Sequence, residues 1–432
     1  MAILFLAGIV YFLNFFLIKR SIPSKYLIYW IVLVGLNLRF LMLFSTPILE
    51  DDYFRYLWDG AVVASSLNPY KYSPKEILES NEVPIKLKTL ANESKQIVKN
   101  INNPEVRTIY PPVSQLFFGL SHALNEWSIK TWRLILFLSD LFTLVLLVFL
   151  FNRLKISILN SAIYFWNPIL IFTIFNSCHM DVLVFPFVLG AILIAMKFRY
   201  IWSTILLCIG MGIKIWPIIL IPAVFRQIIL RPKQLFGVVS TLFILLALMF
   251  IPIYLYGLDD SSGFIAYGKS WENNSSIFRI ILYIIANTLN AFEIHPRHGE
   301  YVSRYMAGIF ILLWIAYVTF RFRNQEKSDI QIIKSSLLII GFSYLISPTQ
   351  FPWYYTWLLP FLAIVPIYSL LFLTVSLPLY YLRFYFEPRE QLTIFTNLIV
   401  WIEFAPVWLL ILYEWLKSNN NESIDFQEAS LT

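Results

Sequence analysis

The sequence predicts an all-α polytopic membrane protein, and two observations lead to this fold class. Of the 432 residues, 59% are hydrophobic and only 14% are charged, which is too few polar side chains to cover a soluble domain of this length. The mean hydropathy is +0.69, and apolar runs that approach the roughly 20 residues of a membrane-crossing helix recur along the chain. The short alternating segments that are typical of a membrane β-barrel do not occur in the sequence.

The apolar runs predict roughly ten to thirteen transmembrane helices, with boundaries that pattern analysis places only to within several residues. Predicted spans lie near residues 1–18, 26–46, 131–151, 158–175, 180–196, 234–256, 301–320, 333–347, 353–370 and 392–416. Shorter apolar pieces lie near residues 111–124, 201–225, 276–292 and 371–386. We interpret the first shorter piece as a re-entrant element and the second as a bent hairpin.

These elements predict one transmembrane catalytic domain, residues 1–416. Residues 47–110 form a large external loop whose portion 72–109 is rich in Lys, Glu and Asn. Because that portion is too short for a core of its own, we expect interfacial helices packed on the membrane domain. The polar tail 417–432 is typical of disorder.

Charge patterning predicts which side of the membrane each loop faces. Lys and Arg residues cluster in alternate loops, near residues 19–25, 153–155, 197–199, 226–233 and 321–327. The positive-inside rule makes that face cytoplasmic. The external face then receives the long first loop and most of the other polar, aromatic loops, and a functional site is expected there.

The densest acidic cluster lies just after the second span, in EDDYFRYLWDG, residues 50–60. In a helix, Asp52, Arg55, Tyr56 and Asp59 share one face, since they are spaced at i, i+3, i+4 and i+7. Carboxylates surrounded by aromatic side chains are partly desolvated, which raises their pKa values toward the range of a general base.

Asp52 and Asp51 are the two candidates for that base. Asp51 lies four residues before Arg55, and an ion pair between them would lower the pKa of Asp51 and make it the poorer base. The alternative is a solvated interfacial helix whose local salt bridges contribute roughly a few tenths of a kcal/mol each. The aromatic residues between 53 and 58 argue against a solvated helix.

Lys214 lies deep in an apolar stretch, GMGIKIWP, where a charge is costly unless it finds an anion or reaches the interface. The flanking Gly210, Gly212 and Pro217 predict a broken helix with free backbone N–H groups. We therefore predict an anion site, most naturally for a phosphate. Snorkelling of the ammonium group to the interface is the alternative.

His179 and Asp181, in NSCHMD, lie at the predicted external end of a span and are placed to line the rim of the same cavity. A structural role for the histidine is the alternative. Asp51, Asp52 and Asp181 could also meet around a divalent metal, so a metal cofactor is left open and no other cofactor is predicted.

Aromatic and amide side chains recur in the other external segments, and such groups recognise sugar faces and sugar hydroxyls. An interfacial aromatic belt is the alternative for each segment taken alone. Together with the acidic cluster and Lys214, the segments favour a binding site. The candidate substrate-binding residues are Tyr56, Asp59, Asn68, Tyr70, Tyr110, Asp181, Trp271, Asn273, Asn274, Gln350, Trp353 and Tyr354.

The ordered set of motifs resembles the type-C membrane glycosyltransferases that use polyprenyl-phosphate sugars, and within them the bacterial mannosyltransferase-like proteins. The resemblance covers roughly residues 26–370 and depends on the order and spacing of the motifs. The motifs are EDDYFRYLWDG with NPYKYSP, then IYPP, HMDVL, GIKIWP, SWENNSSIF and FPWYYTWLLP. Phe351 stands where many relatives have a histidine before Pro-Trp-Tyr, so no role of that position is carried over.

The resemblance implies transfer of a hexose, with mannose as the family-level expectation, from a polyprenyl-phosphate donor to a glycan or lipid-linked acceptor, with inversion. It implies a bacterial inner (plasma) membrane protein whose site faces outward, and it implies no nucleic-acid partner. Carried onto this chain, the catalytic base is Asp52 or Asp51. Lys214, with Arg55 or His179, would hold the donor phosphate.

Two other function classes remain open from the sequence. A transporter or flippase of lipid-linked sugars also needs aromatic residues, a buried lysine and broken helices. Such proteins more often carry an internal repeat, and none is evident here. A non-enzymatic assembly subunit is the third possibility. Sugar transfer by the purified protein in detergent separates an enzyme from both.

Overall fold

A computed structural model of the chain describes residues 1–258, 261–292, 297–321 and 329–429. Helices make up nearly all of the regular structure in these residues, and the only strand-like pairing among them is an isolated bridge between Asn273 and Thr349. The predicted all-α polytopic class is confirmed.

Eight helices in the described residues are long and apolar enough to cross a membrane. They are Ala2–Arg20, Lys25–Leu43, Ile129–Leu154, Pro232–Tyr256, His298–Arg321, Asp329–Ile346, Tyr368–Arg389 and Leu392–Lys417. A ninth span forms if the bent pair Ile158–Phe165 and Pro168–Asn176 crosses as one unit. Four shorter apolar helices complete the set: Met180–Ala195, Tyr200–Ile213, Trp216–Ile228 and Ile277–Ala291. The predicted ten to thirteen transmembrane helices counted shorter apolar segments as well, whereas the helices long enough to span number eight or nine in the described residues.

The bent pair has a local cause. Asn167 is extended, and its side chain caps the N-terminus of the next helical segment by accepting from the backbone N–H of Leu170 at 3.1 Å. Pro168 occupies the first helical position, where its missing N–H costs nothing. The two helices meet at 44°, and the second ends in the π-helical turn Ile171–Asn176.

The segment predicted to be the external loop contains short helices. The loop's helices are Tyr53–Ala64, Pro74–Glu79, Ile85–Glu93 and the single turn Val98–Asn100. Trp58 and apolar residues between Ile77 and Ile101 form a small core under these helices. The loop therefore packs as a layer on the membrane domain, with Tyr53–Ala64, hereafter the site helix, between the two.

The site helix lies against the helix Pro112–Leu124, hereafter the proline helix, which corresponds to the predicted re-entrant element. Gly60 allows this close approach, because a Cβ atom there would overlap the backbone carbonyl of Phe118. Tyr56 stacks on the Phe118 ring, with centroids 4.9 Å apart. The acidic end of the site helix is thereby fixed over the membrane domain.

The remaining helices are short segments around the site or near the chain end. They are Gly263–Ser270, Pro352–Tyr355, Thr356–Leu358 and Leu359–Leu362, whereas the long final helix Val400–Ala429 extends beyond the last span. Side chains beyond Lys417 lie outside the described residues. The predicted disorder of the tail 417–432 therefore stays a prediction.

A buried ion pair joins the second span to the third. The Nε of Arg39 donates to Asp140 at 2.5 Å, and both side chains are fully buried. The Tyr164 hydroxyl donates to the same carboxylate at 2.7 Å, and Arg39 also donates to the Phe165 carbonyl at 2.6 Å. Removing one partner would leave the other as an uncompensated buried charge.

We expect Asp140→Ala to destabilise the protein by about 3–5 kcal/mol, because it strands the Arg39 guanidinium. Denaturant unfolding in mild detergent measures the change. Asn37→Ala on the second span is the matched control, since the exposed Asn37 amide donates only to the carbonyl of Leu33, one turn earlier. Equal stability of the two variants would contradict a structural role for the pair.

Candidate active site

A cavity of about 650 Å³ opens between the site helix, the break at Lys214 and residues 351–357. Nine of the residues that the sequence singled out line it. They are Asp51, Asp52, Arg55, Tyr56, Tyr110, Lys214, Trp271, Trp353 and Tyr354. The cavity therefore brings carboxylates, cations and aromatic rings from distant parts of the chain to one place.

Asp52 is the N-cap residue of the site helix, and its side chain is 26% exposed toward the cavity. The Asn102 amide donates to Asp52 Oδ1 at 2.9 Å and to Asp51 Oδ1 at 2.7 Å. One amide thus holds both carboxylates. Asp52 Oδ2 lies 3.6 Å from His179 Nδ1, beyond hydrogen-bond distance, and is left to accept a proton from a bound ligand.

The two acidic neighbours differ from Asp52 in their surroundings. Burial raises the pKa of Asp51, and the hydrogen bond from Asn102 opposes that shift. Burial also holds the pKa of Glu50 well above its usual range, and the adjacent carboxylates of Asp52 and Asp51 add to the effect. Glu50 and Asp51 thus both have raised pKa values, for reasons that differ between the two residues.

Arg55 does not form the predicted ion pair with Asp51, and this expectation was wrong. Its guanidinium donates instead to the backbone carbonyls of Val106 at 2.9 Å and Asn103 at 3.4 Å. These contacts hold the returning segment of the loop, residues 101–106, against the site helix, so that Asn102 reaches the two aspartates. Arg55 also lines the cavity, so its predicted contact with the donor phosphate remains a prediction.

Lys214 lies at the break between two apolar helices, as the glycine and proline signals predicted. Its Nζ donates to Asp181 at 2.6 Å and lies 4.5 Å from the Tyr354 ring centroid. Burial lowers the pKa of Lys214, and the Asp181 carboxylate opposes this by favouring the charged form. The ammonium is therefore held in place on the cavity wall, with 18% of its side chain exposed.

Asp181 acts through Lys214 in this arrangement. It is fully buried and does not line the cavity, and its Oδ1 also accepts from Trp357 Nε1 at 2.5 Å. The structure therefore places Asp181 behind the lysine, although the sequence suggested direct contact with substrate. Its carboxylate fixes both a cation and an indole of the wall.

We expect Asp181→Asn to raise the KM for an anionic donor more than it lowers kcat. Without the carboxylate, the pKa of the Lys214 ammonium falls, so the alkaline limb of the pH–activity profile should move to lower pH. Steady-state kinetics across a pH series measure both effects. An unchanged alkaline limb of the pH–activity profile in a folded variant would mean that Asp181 does not influence the protonation of Lys214.

His179 is enclosed and stacks on the Trp353 ring, with centroids 3.9 Å apart and planes 14° apart. Neither ring nitrogen has a hydrogen-bond partner among the described residues, and burial lowers the pKa of His179 to about 3. A neutral, enclosed imidazole presents no cation to a donor phosphate, which argues against the predicted phosphate contact. It instead lies behind Trp353, which lines the cavity, and supports that ring from the protein interior.

Asp59 is buried behind the cavity wall and does not line it. It accepts from the Thr108 hydroxyl at 2.5 Å and from the Gln115 amide at 3.0 Å. Burial raises the pKa of Asp59, while the nearby Arg55 charge and these hydrogen bonds oppose the shift. The carboxyl thus joins the site helix to the proline helix, and direct contact with an acceptor would require these bonds to open.

Five other candidates lie outside the cavity lining and make structural hydrogen bonds. Asn68 caps its own turn by accepting from the N–H of Tyr70, whose hydroxyl donates to the Tyr110 carbonyl at 2.9 Å. The Asn274 amide donates to Glu403 at 2.7 Å. The backbone of Asn273 pairs with that of residues 348–350, and the Gln350 amide donates to the carbonyls of residues 345 and 347. These amides support the wall from behind.

Several lining residues were missed by sequence reasoning. They are Glu50, Asn102, Trp216, Phe264, Tyr267, Trp357, Tyr380, Arg383 and Glu387. The WENNSS and FPWYYTW patterns pointed to the regions of Tyr267 and Trp357 without identifying them. Arg383 and Glu387 pair at 3.0 Å at the partly exposed cavity rim, and nothing in their local pattern marked them.

Asp51, Asp52 and Asp181, which the sequence left open as metal ligands, do not converge in the described part of the chain. Asp181 faces Lys214, and no group of three His, Cys, Asp or Glu side chains there is arranged to hold an ion.

Comparison with known proteins gave one match. The profile of the family described as alpha-(1->6)-mannopyranosyltransferase, N-terminal domain, matches residues 1–229. This stretch contains the acidic cluster, the proline helix, the HMD turn and Lys214. No curated protein and no solved structure matches the chain.

Proposed function

Because the chain belongs to the alpha-(1->6)-mannopyranosyltransferase family, we propose that it transfers mannose from a polyprenyl-phosphate donor to a glycan or lipid-linked acceptor. The protein is a mannosyltransferase-like membrane glycosyltransferase with several membrane-spanning helices. The donor class, the acceptor and inversion at the anomeric carbon are the parts that we propose.

The observation that carries the proposal is the presence of Asp52 and Lys214 in one aromatic-walled cavity. Transfer from a sugar phosphate needs a base for the acceptor hydroxyl and a cation for the departing phosphate. Asp52 offers a carboxylate oxygen free of hydrogen bonds within the described residues, and Lys214 offers a fixed ammonium. Tyr354 and Trp271 add aromatic surface for sugar rings, whereas the Trp353 ring is already stacked on His179 and Phe351.

In the proposed reaction, Asp52 Oδ2 accepts a hydrogen bond from the acceptor hydroxyl. The hydroxyl oxygen attacks the anomeric carbon from the face opposite the phosphate, so the new C–O bond forms as the bond to the phosphate oxygen breaks. The proton passes to Asp52, and the polyprenyl phosphate leaves with its added charge stabilised by Lys214. Attack from the opposite face inverts the anomeric centre, so an alpha product requires a beta-linked donor.

Asn102 prepares Asp52 for this step. By donating to Oδ1, it orients the carboxylate and leaves Oδ2 on the side of His179 and Trp353. The amide also donates to Asp51, so rotation of Asp52 would break a shared contact. A base that is held in place in the unliganded protein has less reorganisation to complete before attack.

We also propose that the site faces outward across a bacterial inner membrane. The alternating clusters of Lys and Arg support this orientation, since short basic loops stay cytoplasmic. A lipid-linked donor suits a site at the end of transmembrane helices, where an apolar chain stays in the bilayer and the sugar reaches the interface.

Cysteine labelling tests the orientation. We expect Glu82→Cys, in the first loop, to react with an impermeant maleimide on intact spheroplasts, and Lys233→Cys to react only after lysis. Both positions are exposed, whereas the native Cys178 and Cys208 are buried. Labelling of both positions from the same side would contradict the proposed topology.

Transfer in detergent tests the activity. The purified protein is incubated with radiolabelled polyprenyl-phosphate mannose and a panel of mannoside and lipid-linked acceptors. Formation of an alpha-(1->6) product without a sealed compartment supports the enzyme, because a flippase needs two compartments. No transfer from any polyprenyl-phosphate sugar to any acceptor would overturn the proposed donor class.

A further inference from the structure

A second cavity of about 370 Å³ adjoins the candidate active site. Both cavities are lined by Trp216, Tyr267, Tyr354 and Trp357, which we call the aromatic partition. The partition is tightly stacked: the Trp216 and Trp357 rings lie 5.1 Å apart at 10°, and the Tyr354 and Trp357 rings lie 4.5 Å apart. The second cavity is therefore continuous with the wall of the site.

Lys214 lies next to the aromatic partition and lines only the first cavity. Its ammonium lies 4.5 Å from the Tyr354 ring centroid and 5.5 Å from the Trp357 ring centroid. A phosphate bound to Lys214 would thus rest against the two rings that also bound the second cavity. Any chain esterified to that phosphate begins within reach of the partition.

The second cavity has the lining that an apolar chain requires. Two span-length helices supply apolar surface to it, with Ala307, Gly308 and Ile311 from His298–Arg321 and Ile340 from Asp329–Ile346. Arg304 and Ile311 are about 10 Å apart along their helix, at 1.5 Å per residue. The cavity therefore runs along the helix, from the level of Arg304 toward the apolar interior.

Two glycines leave this space open. A Cβ atom added at Gly308 or at Gly268 would meet no atom within 4 Å, whereas most other glycines of the described residues pack against a neighbour. Gly308 lines the second cavity, and Gly268 lines both. The absence of a side chain at these two positions therefore leaves cavity volume open and is not needed for close helix packing.

The polar side chains that line the second cavity are Arg304, Ser343, Ser347 and Thr349, together with the tyrosines Tyr267, Tyr344 and Tyr354. Arg304 donates to the Trp271 carbonyl at 3.2 Å, and its buried Nε has no partner among the described residues. An occupant with an anionic head and a long apolar tail matches both the cations at the partition and the apolar interior. A nucleotide sugar, polar along its whole length, does not.

We infer that the second cavity holds the first isoprenoid units of the lipid donor, with Gly268 and Gly308 providing the room. This inference rests on the proposed donor class. It assigns recognition of the lipid to the aromatic partition and the helix His298–Arg321, apart from the sugar-binding and proton-accepting groups. The bound chain would also fix the phosphate beside Lys214.

Filling the cavity at Gly308 tests the inference. We expect Gly308→Leu to raise the KM for polyprenyl-phosphate mannose by about tenfold or more, which corresponds to roughly 1.4 kcal/mol, with little change in kcat. The matched control is Leu312→Phe, which adds bulk to the same helix at a side chain that is 66% exposed and does not line either cavity. Gly308→Ala should have a smaller effect.

A binding readout keeps the test independent of turnover. An isoprenyl phosphate with a diazirine in its first units should crosslink to the helix His298–Arg321 in wild-type protein, and Gly308→Leu should abolish that adduct. If wild-type protein transfers mannose but both Gly308 variants behave like the control, the inference fails and the proposed function stands. If wild-type protein uses no polyprenyl-phosphate donor, the proposed function itself fails.

Discussion

Replacement of Asp52 by asparagine is expected to lower kcat by about 10²–10⁴-fold, the usual contribution of a general base. Asparagine keeps the shape and the contact with Asn102, but it cannot take the acceptor proton. The apparent donor affinity should stay near that of the wild type, since Lys214 is untouched. Single-turnover transfer and donor titration in detergent measure the two quantities separately.

Asp51→Asn is the matched control for that variant. Asp51 shares the Asn102 amide with Asp52, so the remaining hydrogen bond still orients the base. We therefore expect a loss at least about tenfold smaller than that at Asp52, a difference of roughly 1.4 kcal/mol in barrier. Near-normal turnover in folded Asp52→Asn would overturn the assignment. A larger loss at Asp51 would keep the mechanism and move the base by one residue.

Lys214→Met is expected to weaken donor binding by about 10- to 100-fold, because a hydrogen bond to a charged group contributes roughly 1.5–3 kcal/mol. Methionine keeps the apolar stem against Tyr354 and Trp357 and removes only the ammonium. The leaving phosphate also loses its counter-charge, so kcat should fall as well. Donor titration with the intact lipid measures the first effect.

The single variant leaves Asp181 as a buried carboxylate without its partner, which by itself destabilises the protein. The double variant Lys214→Met with Asp181→Asn removes both charges and serves as the control for folding. If the double variant is as stable as the wild type but still binds donor poorly, the loss belongs to the cation. Wild-type donor affinity in a folded Lys214→Met protein would return Lys214 to a snorkelling role.

Part of the site was predictable because its signals are local. The EDD cluster lies directly after an apolar run, so its place at the end of a span follows from the chain itself. The glycines and proline around Lys214 break the helix where the charge occurs, and the structure has a break there. Such features depend on residues that are close together in the sequence, so they can be recognised without the tertiary structure.

The hydrogen-bond partners of several charged side chains in the site lie far away in the sequence. Arg55 was expected to bind Asp51 one turn away, but it bonds carbonyls about 50 residues later. Asn102 lies 50 residues from Asp52, and Trp357 lies 176 residues from Asp181. A one-turn pair on an exposed helix contributes little, so burial with several backbone acceptors prevails.

The sequence by itself determined the membrane class, the helical spans and the broken helix at Lys214, and it led to the two aspartates, because hydrophobic runs, breakers and charge clusters act locally. The tertiary structure alone decided that His179 stacks beneath Trp353, that Asp59 and the amides lie behind the wall, and that the aromatic partition lines two adjoining cavities. The reason is that cavity walls are assembled from rings and amides of many segments. Which face of each segment reaches the cavity depends on long-range packing that no single stretch encodes.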